Sequence, residues 1–331
     1  MVKDFKQKII DNFKIMIYKV YADNDKAAVF KAREYSKAIK AFSDYHGPID
    51  SLETAKDILI KSGKKNPVKI LKKIKEIIDT GKLEAAEKVK KDPRLKALSN
   101  LTKVYSIGDK KALQLYEQHG ITTVPQLKKE FKKDPSILHN KQQIGLKYFA
   151  DLQKRIPRKE MLQYEKLLKQ VDPNLKLSIN GSFRRGAKTS GDIDALINGS
   201  QKNRNDFIKV LKESGLMVET LANGKKKFMG IIKLPNYKTY RHIDIIDSDD
   251  KSFPFGVLYF TGSAKFNTEM RNIALAHGYS LNEYDFAHKG TKKPLTKREI
   301  FEKIGKEQFE NEKDIFKFLN MKYVKPQERD F

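Results

Sequence analysis

The stretch that decides the fold is GSFRRGAKTSGDID, Gly181 to Asp194. It sets a Gly-Ser pair, two arginines and a second glycine ahead of two aspartates one residue apart. In a β-strand, residues i and i+2 share a face, so Asp192 and Asp194 project together while Ile193 turns to the core. Like charges on one face repel, and a divalent cation removes the objection. Hard carboxylate oxygens suit Mg²⁺, which keeps substrate phosphates and waters in its shell. Asp244, in the strand-like run RHIDII, supplies a third carboxylate, and three such groups can hold two metals about 3.5–4 Å apart. Gly181 and Ser182 allow close backbone approach and a hydroxyl contact, Arg185 neutralises phosphate charge, and Gly191 leaves the start of the strand without a side chain. The loop reads as gripping a polyphosphate and the strand as gripping its metals. Asp247, Asp249 and Asp250 cluster in what reads as a polar turn and are expected to be solvated. The six histidines show no metal-ligand spacing; His242 shares the face of Asp244 and reads as an ordinary polar neighbour.

Outward from that loop, the chain of 331 residues is long enough for two or three packed units. It carries 68 Lys and Arg against 42 Asp and Glu, a net charge of +26, which points to a polyanionic partner. Cysteine is absent, so disulfides and thiolate zinc sites are excluded. No run of about 18 apolar residues exists, so nothing is expected to span a membrane; no membrane is expected as a partner, and the N-terminal MVKDFKQKIIDNFKIMIYKVY reads as an amphipathic helix rather than a signal peptide. The first half is helical by period, with ends marked by Gly47-Pro48, Gly63, Gly81, Asp92-Pro93 and Gly108. After Pro173, LKLSING, DIDALIN, FMGIIKL and YRHIDIID read as strands with helices between. The fold class is α/β (α+β): an all-helical front and a mixed back.

The front carries two places of chemical interest. Between Leu101 and Leu127, a short Ser106-Ile107-Gly108 turn before a helix presents backbone N–H groups of the kind that bind phosphate; an ordinary helix–turn–helix corner would look the same. Lys61 to Lys75 carries seven lysines and no acid. Asn66 can cap and Pro67 suits the first turn, and Ile70, Ile74, Ile77, Leu71 and Ile78 form an apolar face. Lys73 lies at its margin, where a partly desolvated amine among other cations can attack an aldehyde; a solvated basic face that contacts phosphate is the other reading. Near the C-terminus, Tyr259-Phe260 is read as a strand end before a Thr261-Gly262-Ser263 turn. An amphipathic helix with Asn267 and Arg271 follows; the aromatics beside it are placed to pack against a base and sugar, with core packing of Phe260 and Phe266 as the other reading.

Taken with HIDI, GVLYFTGS, GYSLNEYDF, IGLKYFADLQKRIPRKEM and TGKLEAAEKVKKD, the opening loop resembles the family X DNA polymerases in their beta-like form, over nearly the whole chain and in the same order. The resemblance implies a helical lyase and 5′-phosphate-binding domain (1–90), a helix-hairpin-helix fingers-like subdomain (91–153), a nucleotidyltransferase palm (154–252) and a small α/β thumb-like subdomain for nucleotide selection (253–331). It implies gap-filling synthesis in base excision repair, with gapped or nicked DNA and dNTP as partners, two Mg²⁺ for which Mn²⁺ substitutes, and a monomer. Asp192, Asp194 and Asp244 match the metal ligands, and Arg155, Ser182, Arg185 and Gly191 match triphosphate contacts. Tyr259, Phe260 and Gly262 match the segment beside the incoming sugar. Asn267 matches a base-edge contact, Arg271 a template contact, and Glu283 and Tyr284 its partners in open–closed switching. Lys73 matches the Schiff-base lysine that removes 5′-deoxyribose phosphate, with Lys31 and Tyr35 around it and Lys69 and Gly108 on the DNA. Thr102, Val104 and Ile107 match carbonyl ligands of Na⁺ or K⁺ at the second hairpin.

Departures from the family pattern are visible. The first hairpin has Lys65 and Pro67 where glycines are expected, Ser106 replaces a glycine in the second, Ala264 stands where an acid occurs, and the chain between Asp194 and Asp244 is short. No BRCT-like leader is read. Location follows the source: nuclear in a eukaryotic cell, cytoplasmic or virion for a virus. Template-independent end addition and non-catalytic DNA binding are the competing functions; Arg271 and the hairpin favour templated synthesis over the first, and the intact aspartates with Arg185 argue against the second.

Overall fold

The computed structural model describes residues 3–22, 28–45, 47–64 and 66–330. Lys65, one of the departures noted above, lies outside them. The chain divides into two compact units, residues 1–147 and 148–331.

The first unit is helical: α1 (Lys6–Ala22), α2 (Ala28–Ser43), α3 (Leu52–Lys61), α4 (Val68–Thr80), α5 (Glu84–Lys90), α6 (Pro93–Leu101), α7 (Asp109–His119) and α8 (Val124–Lys133), with α9 (Asn140–Leu152) running across the unit boundary. The three- and four-residue spacing of Ile9, Phe13, Met16 and Val20 gives α1 one apolar stripe, and all four are buried with Tyr35, Phe42, Leu59, Ile70, Ile74 and Ile77. Gly81 closes α4 in the left-handed conformation, φ 74°, and Asp92 caps α6 ahead of Pro93 by accepting from the Arg94 N–H. The turn between α6 and α7 is held from behind by α9. Gln142 Nε2 donates to the Ser106 carbonyl at 3.2 Å, and Gly145 admits the Tyr105 carbonyl where any Cβ would collide with it.

The second unit is built on a five-stranded sheet of order β2-β4-β7-β6-β5. In chain order the strands are β1 (Ile156–Pro157), β2 (Leu177–Ile179), β3 (Thr189–Ser190), β4 (Ile193–Asn198), β5 (Met217–Asn223), β6 (Lys227–Ile232) and β7 (Arg241–Ser248). Only β4 and β7 run parallel; their neighbours are antiparallel. Helices α10 (Arg158–Val171) and α12 (Gln201–Glu213) cover the sheet, and α11 (Gly181–Arg184) is one short turn in the loop before β3. Alternation does the sorting. Ile193, Ala195 and Ile197 of β4 and Ile243 and Ile245 of β7 pack into the core with Tyr164, Leu168, Phe207 and Leu211 of the helices. The same face ends in two buried ion pairs. Arg241 holds Glu160 of α10 through two 2.7 Å bonds, and the fully buried Arg204 of α12 pairs with Asp247. Asp247 is therefore not solvated as its sequence setting suggested. Strand β7 continues to Ser248, and the odd positions of the strand face the helices.

The remainder is α13 (Phe253–Thr261), α14 (Ala264–Ala276), the hairpin β8 (Tyr279–Leu281) and β9 (Phe286–His288), α15 (Lys297–Ile304) and α16 (Glu312–Phe318). Phe255, Phe266, Phe286, Phe309, Phe316 and Phe318 form its core. Tyr259 and Phe260 lie in α13 and do not end a strand. The segment FPFGVLYFT is apolar nearly throughout, so periodicity cannot choose between strand and buried helix. Pro254 suits a first helical turn, and Gly256 lets the helix rest on Leu196 of β4, where a Cβ would lie 3.0 Å from its Cδ2. No helix among the described residues is long and apolar enough to cross a membrane.

Removing one partner of a buried ion pair leaves an uncompensated charge, at a cost of about 3–5 kcal/mol. Asp247→Ala is expected to lower unfolding free energy by that amount in a urea titration, and a loss under about 1 kcal/mol, the range of an exposed pair, would contradict the assignment.

Candidate active site

The even positions of β4 and β7 face away from α10 and α12. Parallel pairing sets Asp194 directly against Asp244, with Ile193 against Ile243 and Ala195 against Ile245. Asp192 precedes β4 on the same face. Asp244 is 6% exposed; one of its carboxylate oxygens takes the Lys227 ammonium, while the other, Oδ1, is buried with no hydrogen-bond partner. An orphaned anionic oxygen is costly unless something cationic reaches it. The ligand atoms of Asp192, His242 and Asp244 all lie within 4.8 Å of one another, and His242 Nε2 is 3.7 Å from Asp244 Oδ1. Burial and the negative charges of Asp192 and Asp244 push the Asp194 carboxyl up to about 7, against the opposing pull of Lys227 and Arg185. The residues thus fit a divalent cation: hard oxygen donors, an unpartnered buried carboxylate oxygen, and a carboxyl pushed up to about 7 by burial and two acidic neighbours.

The loop ahead of β4 is shaped by that cluster. Gly181 has φ 58°, and a Cβ there would collide with Asp194 Oδ2, so glycine is required twice over. Ser182 and Ser190 hydroxyls lie 3.2 Å apart. The two arginines separate in role. Arg184 makes a forked pair with buried Glu312, at 2.8 and 3.1 Å, and Glu312 also receives the fully buried Arg329. Arg185 donates to the Thr261 carbonyl at 2.8 Å and meets Asp330 at 3.0 Å. Arg155 donates to Thr189 Oγ1 and its carbonyl, with its guanidinium 3.6 Å from where a Gly191 Cβ would sit.

Downstream, Asn267 Nδ2 donates to the Tyr259 carbonyl at 2.7 Å, and Phe260 packs edge-on to Tyr259. Arg271 lies over the Tyr259 ring and 3.8 Å from Glu283. Tyr284 is exposed beside Lys226. Gly262, φ 68°, follows α13 with the Arg185 guanidinium against it. The structure brings these residues into one unit with the acid cluster. Sequence reasoning missed Lys227, which pairs with Asp244, and the Arg184–Glu312–Arg329 network. Both rest on partners far apart in the chain. His242 was noted without a role, although its period-two spacing from Asp244 was the available signal.

In the other unit, Lys31, Tyr35, Lys69 and Lys73 line one cavity of about 610 Å³ together with Phe30, Glu34, Lys64, Asn66, Val68 and Ile70. Lys73 is half-buried on α4 beside buried Ile70 and Ile74. Burial raises the Tyr35 hydroxyl above the usual phenol range, and Glu34 is tied up by Lys64. Gly108 stands as the N-cap of α7. Of the residues read as cation ligands at that turn, Thr102 caps α6, and the Val104 carbonyl already accepts the Ile107 N–H at 3.0 Å.

Sheet, loop and acids together define a palm of the nucleotidyltransferase kind. The family model for the DNA polymerase beta palm matches residues 155–249, that for its thumb 256–330, and that for the fingers of DNA polymerase lambda 99–153. DNA polymerase lambda of Rattus norvegicus is 30% identical over 91% of this chain, and that of Arabidopsis thaliana 30% over 78%. The type-X family protein pol4 of Schizosaccharomyces pombe is 28% identical over 91%. The chain belongs to the family X DNA polymerases, whose members use divalent metals. It spans about half the length of the two lambda enzymes, 53% and 51%, and 60% of pol4.

Because the folded Asp194 holds its proton up to about pH 7 and the unfolded chain releases it near pH 3.9, the folded state binds the extra proton in between. Its contribution to stability is full below the unfolded value and is lost as pH rises through about 7. Titrating Mg²⁺ into the protein at pH 6 should expel that proton. Calorimetry in two buffers of different ionisation enthalpy will show different heats, and equal heats would refute the shift.

Proposed function

We propose that this chain is a DNA-directed DNA polymerase that fills short gaps in base excision repair, adding dNMP to a primer 3′-hydroxyl, and that it also removes 5′-deoxyribose phosphate. The supporting observation is the register of β4 on β7, which sets Asp194 against Asp244 and leaves the Asp244 Oδ1 buried and unpartnered. Asp192, Asp194 and Asp244 would hold two Mg²⁺, with Mn²⁺ able to substitute. Bound there, the ions supply charge neutralisation at the attacking and leaving oxygens. Ser182, Arg185 and Arg155 bind and orient the triphosphate, Gly191 keeps its path open, and the backbone at Gly262, beside Tyr259 and Phe260, sits against the sugar. In the described state Arg185 and Asn267 are engaged with the Thr261 and Tyr259 carbonyls, so both exchange these partners for nucleotide. Arg271, paired with Glu283 near Tyr284, is placed to pass from that carboxylate to the template.

The division at 1–90, 91–153, 154–252 and 253–331 supplies the working parts of this reading. In the first, the Lys73 amine would attack the opened sugar aldehyde with Tyr35 beside it and Lys31 and Lys69 on the phosphate. The shared cavity favours this over a merely solvated basic face. At the second hairpin, Gly108 approaches the DNA backbone, and Thr102, Val104 and Ile107 carbonyls are the candidates for Na⁺ or K⁺. Gapped DNA and dNTP are the partners, and affinity falls as salt rises because counterion release contributes much of it.

Asp244→Ala is expected to abolish extension of a gapped primer while leaving binding to gapped DNA nearly intact by anisotropy; an active variant sinks the proposal, and joint loss of both indicates misfolding, which circular dichroism identifies. For the second activity, Lys73→Ala should reduce borohydride trapping on an incised abasic substrate by at least about tenfold, a barrier increase of about 1.4 kcal/mol. Undiminished trapping would assign the nucleophile to another lysine.

A further inference from the structure

The acid cluster contains one donor that is not a carboxylate. His242 stands two residues before Asp244 on β7, so the pleat turns both side chains to the same face, and its partner across the sheet on β6 is Ile231. Its Nε2 is 3.7 Å from Asp244 Oδ1, the carboxylate oxygen that is buried and unpartnered. Asp192 completes the group within 4.8 Å. Two donors bound to one ion at about 2.0–2.2 Å each lie no more than about 4.4 Å apart, so the observed 3.7 Å already lies within the span of a shared cation. Lys227 occupies the other oxygen of Asp244, leaving Oδ1 as the oxygen turned to the imidazole.

From this geometry we infer that His242 Nε2 is a nitrogen ligand to one of the ions, together with Asp192 and Asp244 Oδ1, and that it makes the site prefer a first-row transition ion to Mg²⁺. This deepens the polymerase reading and rests on it. The chemistry follows from donor type. Mg²⁺ takes oxygen and holds its waters, whereas imidazole favours ions later in the series, Co²⁺ and Ni²⁺ over Mn²⁺. A purely carboxylate site follows the same order with a weaker bias, because hard oxygen donors also suit Mg²⁺ and Mn²⁺. Replacing one oxygen donor by a neutral nitrogen also lowers the negative charge offered to Mg²⁺ without weakening the bond to a softer ion. His242 is the one histidine found in such a group among the described residues.

The test uses the full chain with Mn²⁺ alone, then Co²⁺ in competition with Mg²⁺. Electron spin-echo modulation of bound Mn²⁺ should show a directly bonded ¹⁴N, changing to ¹⁵N in protein labelled at histidine, and lost in His242→Gln. The same variant should weaken Co²⁺ binding by at least about tenfold, as loss of even an orienting group commonly does, with Mg²⁺ binding little changed. Mn²⁺ held at the site without nitrogen modulation overturns the assignment of His242 and leaves the carboxylate site intact. Mn²⁺ binding unaffected by Asp244→Ala counts against the site itself and so against the polymerase reading. Should His242→Gln fail to fold, the wild-type spectrum decides alone.

Discussion

The structure of the second unit depends on one pairing, β4 parallel to β7 with Asp194 facing Asp244. A shift by a single residue would turn every side chain of a strand to the opposite face. The isoleucines of both strands prevent it, because their burial against α10 and α12 fixes which positions face inward. The hydrophobic core thereby holds together carboxylates that repel one another. The raised carboxyl of Asp194, pushed up by burial and by its two acidic neighbours, and the Lys227 ion pair at Asp244 reflect the electrostatic cost of that arrangement.

The loop and the C-terminal segment are fastened to the same centre by charge. Arg184 reaches Glu312, Arg329 reaches the same carboxylate, and Ser263 Oγ donates to the Arg329 carbonyl at 2.8 Å. Residues more than a hundred positions apart thus fix the turn that follows α13. Arg185, one residue on, engages a backbone carbonyl and Asp330 instead. Adjacent arginines therefore take different partners: Arg184 shares the buried Glu312 with Arg329, and Arg185 is held by the Thr261 carbonyl and Asp330.

Much of this was legible in the sequence. Period two placed Asp192 and Asp194 on one face with Ile193 buried beneath, and the four runs read as β2, β4, β6 and β7 are strands. Helix ends at Gly81, Asp92-Pro93 and Gly108 fall where capping chemistry put them. Two local readings failed for physical reasons. The α13 segment is apolar on all sides, so no periodic signal existed. Asp247 sits among acids in the sequence yet is buried because Arg204, on another element, neutralises it. Strand β5 went unread because its register shifts break the alternation.

The sequence by itself determined most of the helices, four strands of the main sheet, the face on which the aspartates stand, the apolar stripe beneath Lys73 and the surplus of positive charge, because each follows from composition or from spacing along the chain. Tertiary structure alone decided which strand lies beside β4, which oxygen of Asp244 is left without a partner, that Asp192 comes within reach of His242 and Asp244, and that Lys31, Tyr35, Lys69 and Lys73 share a cavity. Those are distances between elements, set by packing and burial, and no local pattern carries them.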